Sequence, residues 1–201
     1  MRLFKPKTIG YGEGVLKPSQ WGIIIPHSIT KQGALAYNGI SEYYYACRIG
    51  QTVLNDGSLP HGLGVVNKRL SEIFPIETRN KSGVSGAAHK LAHSHSVNAS
   101  LEPHFNSFNG KVSGAEILVL DKDYESIHKA EMILEYFSVC FPERRVRGVK
   151  KVKKGDRGYK NLRDARKHMD VSLLSELFFG DNHNDYMEPE TQAKFWAECL
   201  I

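Results

Sequence analysis

Four residues of this 201-residue chain, His27, Glu42, His104 and Glu176, are of types that perform metal-assisted chemistry. Two imidazoles and one carboxylate are a known ligand set for catalytic zinc, with a fourth position left open for water. Zinc lowers the pKa of that water to about 7. A second carboxylate nearby can take the proton and hand it to a leaving group, which is worth roughly 10²–10⁴-fold. The order His, Glu, His, Glu therefore suits a metal-assisted hydrolase. The same types also suit plainer roles. A histidine at a strand end often only hydrogen-bonds or faces water, and nine histidines offer many pairs to choose from.

The elements that must position these residues can be read from hydrophobic spacing. Trp21-Gly22-Ile23-Ile24-Ile25-Pro26 is a short apolar run stopped by proline, the pattern of a buried strand, and His27 follows it. Ser41 can cap a helix running toward Leu54, which puts Glu42 in its first turn. Gly64–Val66 reads as a weak strand, and residues 81–98 as a helix. Residues 99–105 read as a strand with His104 at its end, and residues 116–120 as another. The spacing of Ile127, Ala130, Ile133, Leu134 and Phe137 predicts a helix over residues 124–141. Residues 171–177 give a strand carrying Glu176, and residues 189–200 a closing helix. Strands alternating with helices predict an α/β fold, a mainly parallel twisted sheet flanked by helices. In such sheets the ligand crevice lies at the carboxyl ends of the strands. Three of the four residues sit at such ends.

The stretches around these residues resemble the zinc-dependent N-acetylmuramoyl-L-alanine amidases of the amidase-3 type. That family opens with an apolar strand ending in a zinc-binding His, here Gly22-Ile23-Ile24-Ile25-Pro26-His27. A segment ending in Glu follows, here Gly39-Ile40-Ser41-Glu42. The third ligand lies in a Ser-x-His-x-Asn type segment before a further strand. Here it is Ser100-Leu101-Glu102-Pro103-His104-Phe105-Asn106, then Val112-Ser113-Gly114-Ala115-Glu116. The catalytic Glu follows an Arg-Gly, here Arg157-Gly158. It lies in Leu173-Leu174-Ser175-Glu176-Leu177, with Asn182 and Asp185 beyond. The chain departs from the pattern at Ser28, where the family has glycine, and at Glu102-Pro103, where its step to the histidine is shorter. The resemblance spans about residues 21–200; the length suits a single catalytic domain over residues 1–201, with residues 1–20, rich in Gly, Pro and Lys, read as an irregular arm. The resemblance implies Zn2+ held by His27, Glu42 and His104, Glu176 as general base and then acid, and bacterial peptidoglycan as substrate. The bond cleaved would join the muramic acid lactyl group to L-alanine.

Composition narrows the alternatives. Hydrophobic residues make up 41% and charged residues 24%, which is globular composition. No apolar run approaches the roughly 20 residues of a membrane span. Cys47, Cys140 and Cys199 are too few and scattered for a disulfide framework. No secretory signal is recognisable at the start, so the expectation is a protein made in the cytoplasm that acts on the cell wall, as a bacteriophage lysin does. The net charge of +5 is uneven: residues 144–160 carry nine basic residues and one acid, leaving the remainder at −3. That run suits a solvated loop or attraction to an anionic envelope. Without interleaved aromatics other than Tyr159, it makes a poor nucleic-acid patch, so no nucleic acid is expected. His89 and His93 share helical spacing, but Lys90 stands where a metalloprotease motif needs Glu, so solvated or capping roles are expected. Of Tyr43, Tyr44 and Tyr45, at least one ring must face outward. A metal-dependent peptidase or deacetylase on the same ligands, and a non-catalytic basic binding module, are the competing readings.

Overall fold

The structure, a computed structural model, describes residues 21–55, 64–66, 83–94 and 96–199. The N-terminal arm, His61 and His95 lie outside the described residues. Six strands form one sheet: β1 (Trp21–Ile24), β2 (Gly64–Val66), β3 (Ala99–Asn106), β4 (Ala115–Leu120), β5 (Val146–Val152) and β6 (Val171–Phe179). Among the described residues five helices flank it: α1 (Glu42–Asn55), α2 (Gly83–Ser94), α3 (Tyr124–Cys140), α4 (Tyr159–Ala165) and α5 (Pro189–Cys199). The strand order is β2-β1-β3-β6-β4-β5, and among these described strands β4 pairs antiparallel with β6 while the other pairings are parallel. This is the expected mainly parallel α/β sheet.

Alternation along each strand separates two apolar faces. Ile23, Leu101, Ile117 and Leu173 join the main core with Tyr45 and Ile49 of α1, the stripe of α3, and Phe195 and Trp196 of α5. Ile24 packs on Ala88 and Ala92 of α2, and Leu118 and Leu174 pack on Leu162 of α4. The α3 stripe is buried as its spacing predicts. Asp123 caps that helix, accepting from the Ser126 N–H, while the Ser126 hydroxyl receives the Ser172 N–H of β6. Tyr43 and Tyr45 are buried and Tyr44 is 49% exposed, as three consecutive helical positions require.

Two elements differ from the sequence reading. The 144–160 run is not a loop: it supplies the edge strand β5, a turn and the start of α4. Its valines alternate poorly with lysines, so its pattern lacks an apolar face, yet lysines are what an edge strand uses to discourage pairing with other chains. Helix α2 stops at Ser94 rather than continuing to residue 98, because Ser96 adopts a positive φ of 66°. The Val97 N–H then closes back on the Ala92 carbonyl, a helix-terminating turn. The three cysteines are unbridged, and none of the described helices is long and apolar enough to cross a membrane.

The antiparallel placement of β4 matters for chemistry. The parallel strands β1, β3 and β6 bring their carboxyl ends to one edge, and β4 brings its amino end there. His104, Glu176 and Glu116 consequently sit in register on three adjacent strands. In the main core Phe137 is fully buried against Phe141 and Phe195, with ring centroids 4.9 and 5.4 Å away. Phe137→Ala is expected to cost about 3–5 kcal/mol, read as a lower urea midpoint at unchanged slope.

Candidate metal centre

The first strand ends at Ile24, and just past Ile25 and Pro26 the chain turns sharply at His27, whose φ is 62°. A non-glycine residue in this left-handed region is strained, and such strain concentrates at functional sites. A tight turn follows, with reciprocal backbone hydrogen bonds between Ser28 and Lys31. The departure at Ser28 is thus absorbed in the turn. The chain returns through residues 33–41, pinned by Leu35 against Ser41, and enters α1 at Glu42. The Glu42 carboxylate reaches back over its own loop and accepts the Ala34 N–H at 2.9 Å.

Glu42 stands between the two imidazoles. Its Oε1 lies 3.1 Å from His104 Nδ1, and its Oε2 lies 3.0 Å from His27 Nε2. The two rings meet edge-on, with centroids 5.0 Å apart. Nδ1 or Nε2 of each histidine and one Glu42 oxygen thus converge within 4.8 Å of one another, and among the described residues this is the one group of three or more potential metal ligands. Burial by itself would raise the Glu42 carboxyl, but the hydrogen bond from His104 and the approach of His27 outweigh it and hold it well below the ordinary range. Burial works against the His104 cation, yet Glu102 and Glu42 hold its proton up to about 9.

The residues fit a metal ion. His27 Nε2 is buried and off the line of a hydrogen bond to Glu42, so it has no hydrogen-bond partner. A donor atom is rarely left so without a ligand to serve. Gly33 keeps the space beside it clear: a Cβ there would meet the Glu42 carboxylate and come 2.6 Å from His27 Nε2. Its φ of 80° also favours glycine. Two imidazole nitrogens and a carboxylate oxygen are a donor set that could hold zinc.

Glu176 lies beside this group, one strand over from His104 and 3% exposed. Burial raises its carboxyl to about 7, against the pull of Arg157 and His104 and with a further push from Glu116. Arg157 donates to Glu176 and, at 3.3 Å, to Asn106. Glu116 in turn receives Asn106 Nδ2 at 2.9 Å and Arg147 Nε at 2.8 Å. Asp185 is a brace rather than a reacting group: it accepts the N–H groups of Gly114 and Phe179 and so ties β4 to β6.

The four residues singled out in the sequence are therefore brought to one edge of the sheet. Sequence reasoning missed Glu116, whose carboxylate shares the row. It also gave no contact to Arg157 beyond its place in Arg-Gly. His89 corrects an expectation: it is buried, not solvated, with Nε2 3.1 Å from the Ser100 hydroxyl. The even-numbered residues Ser100, Glu102, His104 and Asn106 share one strand face, and that alternation was the signal available.

The chain has the fold of the N-acetylmuramoyl-L-alanine amidases. The amidase AmiC2 of Nostoc punctiforme matches with a TM-score of 0.66 at 22% identity, over 92% of this chain and 96% of that one. The amidase from Clostridium difficile 630 matches at 0.67 and 16% identity, over the same shares. The catalytic domain of the CD27L endolysin targeting Clostridia difficile matches at 0.63 and 21% identity, over 90% and 95%. No family model and no curated protein matches by sequence.

Gly33→Ala tests the cleared space directly. It is expected to weaken zinc binding by about tenfold or more, measured by chelator competition, with the far-ultraviolet circular dichroism unchanged.

Proposed function

We propose that this protein is a zinc-dependent N-acetylmuramoyl-L-alanine amidase acting on bacterial peptidoglycan. The observation that carries the proposal is the convergence of His27, Glu42 and His104 beside the buried carboxyl of Glu176, in a chain with the fold of such amidases. Zinc held by those three residues would supply an acidified water and polarise the scissile carbonyl.

The chain's own residues account for the proton. Glu176, raised to about 7, is poised to exchange a proton near neutral pH. As carboxylate it takes a proton from the attacking water while the new carbon–oxygen bond forms. As acid it returns that proton to the L-alanine nitrogen while the carbon–nitrogen bond breaks. The products are a lactyl carboxylate on the glycan and a free amino terminus on the stem. Arg157 keeps the Glu176 carboxylate turned toward Asn106 and the row of polar groups. A role as a bacteriophage lysin acting on the wall is part of the proposal, supported by the fold shared with an endolysin catalytic domain.

The test is hydrolysis of purified wall with product analysis. Free L-alanine amino termini support the reading; acetate or internal stem cleavage points to a deacetylase or peptidase instead. Glu176→Gln is expected to lower kcat by about 10²–10⁴-fold while zinc content stays near one per chain. Because the base works ionised, kcat/KM of the wild type should rise with pH through about 7. A flat profile, or clearing that survives zinc removal, contradicts the mechanism.

The exposed lysines of β5 and its turn, Lys150, Lys151, Lys153 and Lys154, suit attraction to an anionic wall. Converting all four to Gln is expected to slow wall lysis at low salt and to matter little at high salt, where exposed charges are screened. Equal rates at both ionic strengths would remove this role.

A further inference from the structure

His104 is flanked by carboxylates on both sides. Its Nδ1 lies 3.1 Å from Glu42 Oε1, the carboxylate that it shares with His27, and its Nε2 lies 3.4 Å from Glu102 Oε2. Glu102 precedes His104 by two residues on β3, so both project from the same strand face. It is 3% exposed, on a sheet face covered by α2 and α4. Both helices reach it: Asn161 of α4 donates to its Oε2 at 3.1 Å, and the buried His89 of α2 places Nε2 3.8 Å from its Oε1. Imidazoles and carboxylates therefore alternate in one chain: His89, Glu102, His104, Glu42, His27.

A ligating imidazole must present a bare lone pair to the metal and carry its proton on the other nitrogen. The nitrogen of His104 that faces Glu42 is Nδ1. The proton then belongs on Nε2, where Glu102 is the acceptor. We propose that Glu102 is a positioning residue for the metal centre: it takes the Nε2–H of His104, fixing the ring's orientation and turning Nδ1 toward the ion. A buried carboxylate in that place is costly unless donors hold it, and Asn161 supplies one from α4. Outer carboxylates of this kind make the ligand more basic, and their loss typically costs about 10–100-fold in metal affinity. The inference rests on reading His27, Glu42 and His104 as a metal site.

The experiment is zinc affinity by chelator competition for the wild type, Glu102→Leu and Glu102→Gln, with ¹⁵N spectra of the zinc-loaded wild type. Glu102→Leu is close in size but has no acceptor, and is expected to bind zinc about 10–100-fold more weakly. Glu102→Gln still offers a carbonyl oxygen to Nε2–H and should recover part of the loss. A purely structural role would not sort the two variants by acceptor. The spectra should show His104 protonated at Nε2 and ligating through Nδ1. If Glu102→Leu does not fold, Glu102→Gln and the spectra decide. Ligation through Nε2, or variants within twofold of a zinc-binding wild type, overturns the inference and leaves the amidase reading standing. A wild type that takes up no zinc overturns the metal reading and this inference with it.

Discussion

A carboxylate as buried as that of Glu42 stays charged only if positive or proton-donating groups surround it. Glu42 meets that demand with three elements at once. His27 comes from beyond β1, His104 from the end of β3, and the Ala34 N–H from the loop between them. Each partner needs the others: the loop must fold back for Glu42 to reach inward, and the strained turn at His27 must hold for its ring to face Glu42. The remaining architecture can be seen as support for this junction. Helix α1 buries Tyr43 and Tyr45 to anchor the first turn that carries Glu42, and parallel pairing of β1 with β3 sets the two histidines side by side.

The same edge then carries an electrostatic load. In-register strands lie about 4.8 Å apart, so Glu176 and Glu116 are like charges on adjacent strands, with Glu102 and Glu42 close by. Left alone, these carboxyls would resist ionising together. Arg147 and Arg157 offset them, and both come from the basic run at 144–160. That run thus divides its work. Arg147 and Arg157 turn toward the row of carboxylates, while Lys150, Lys151, Lys153 and Lys154 are exposed along the sheet edge and its turn. Gly158, with a φ of 82°, opens α4 just after Arg157, and a Cβ there would press against Leu118 at 3.1 Å. The Arg-Gly pair is therefore a local device: the glycine permits the close turn over the sheet, and the arginine crosses to Glu176.

Much of the fold was legible in the chain, because a single buried face leaves a period. Helix α3 shows 3.6-residue spacing, β1 an unbroken apolar run, and β6 a Leu-rich strand stopped by Gly180. Strand β5 was illegible because an edge strand rich in Lys and Arg buries little and so imprints no period. Helix α4 was illegible because it is short and its burial rests on Leu162 and Ala165. Of the site, His27, Glu42, His104 and Glu176 were legible through short motifs in a fixed order. Glu102 stood inside one of those motifs, yet nothing local distinguishes a buried carboxylate from a solvated one.

The sequence by itself determined most element types, β5 and α4 excepted, together with the mainly parallel sheet and the order in which potential ligands leave their strands. Those properties are local, written in the spacing of apolar residues and in the residues that end each run. Only the tertiary structure decided which polar groups meet. That β6 inserts between β3 and β4, that β4 runs against it, and that Glu116 therefore aligns with Glu176 and His104 depend on pairings between segments up to 78 residues apart in the chain. Strands of one period can pair in many orders, and the choice among them is made by the packing of the whole sheet between its helices.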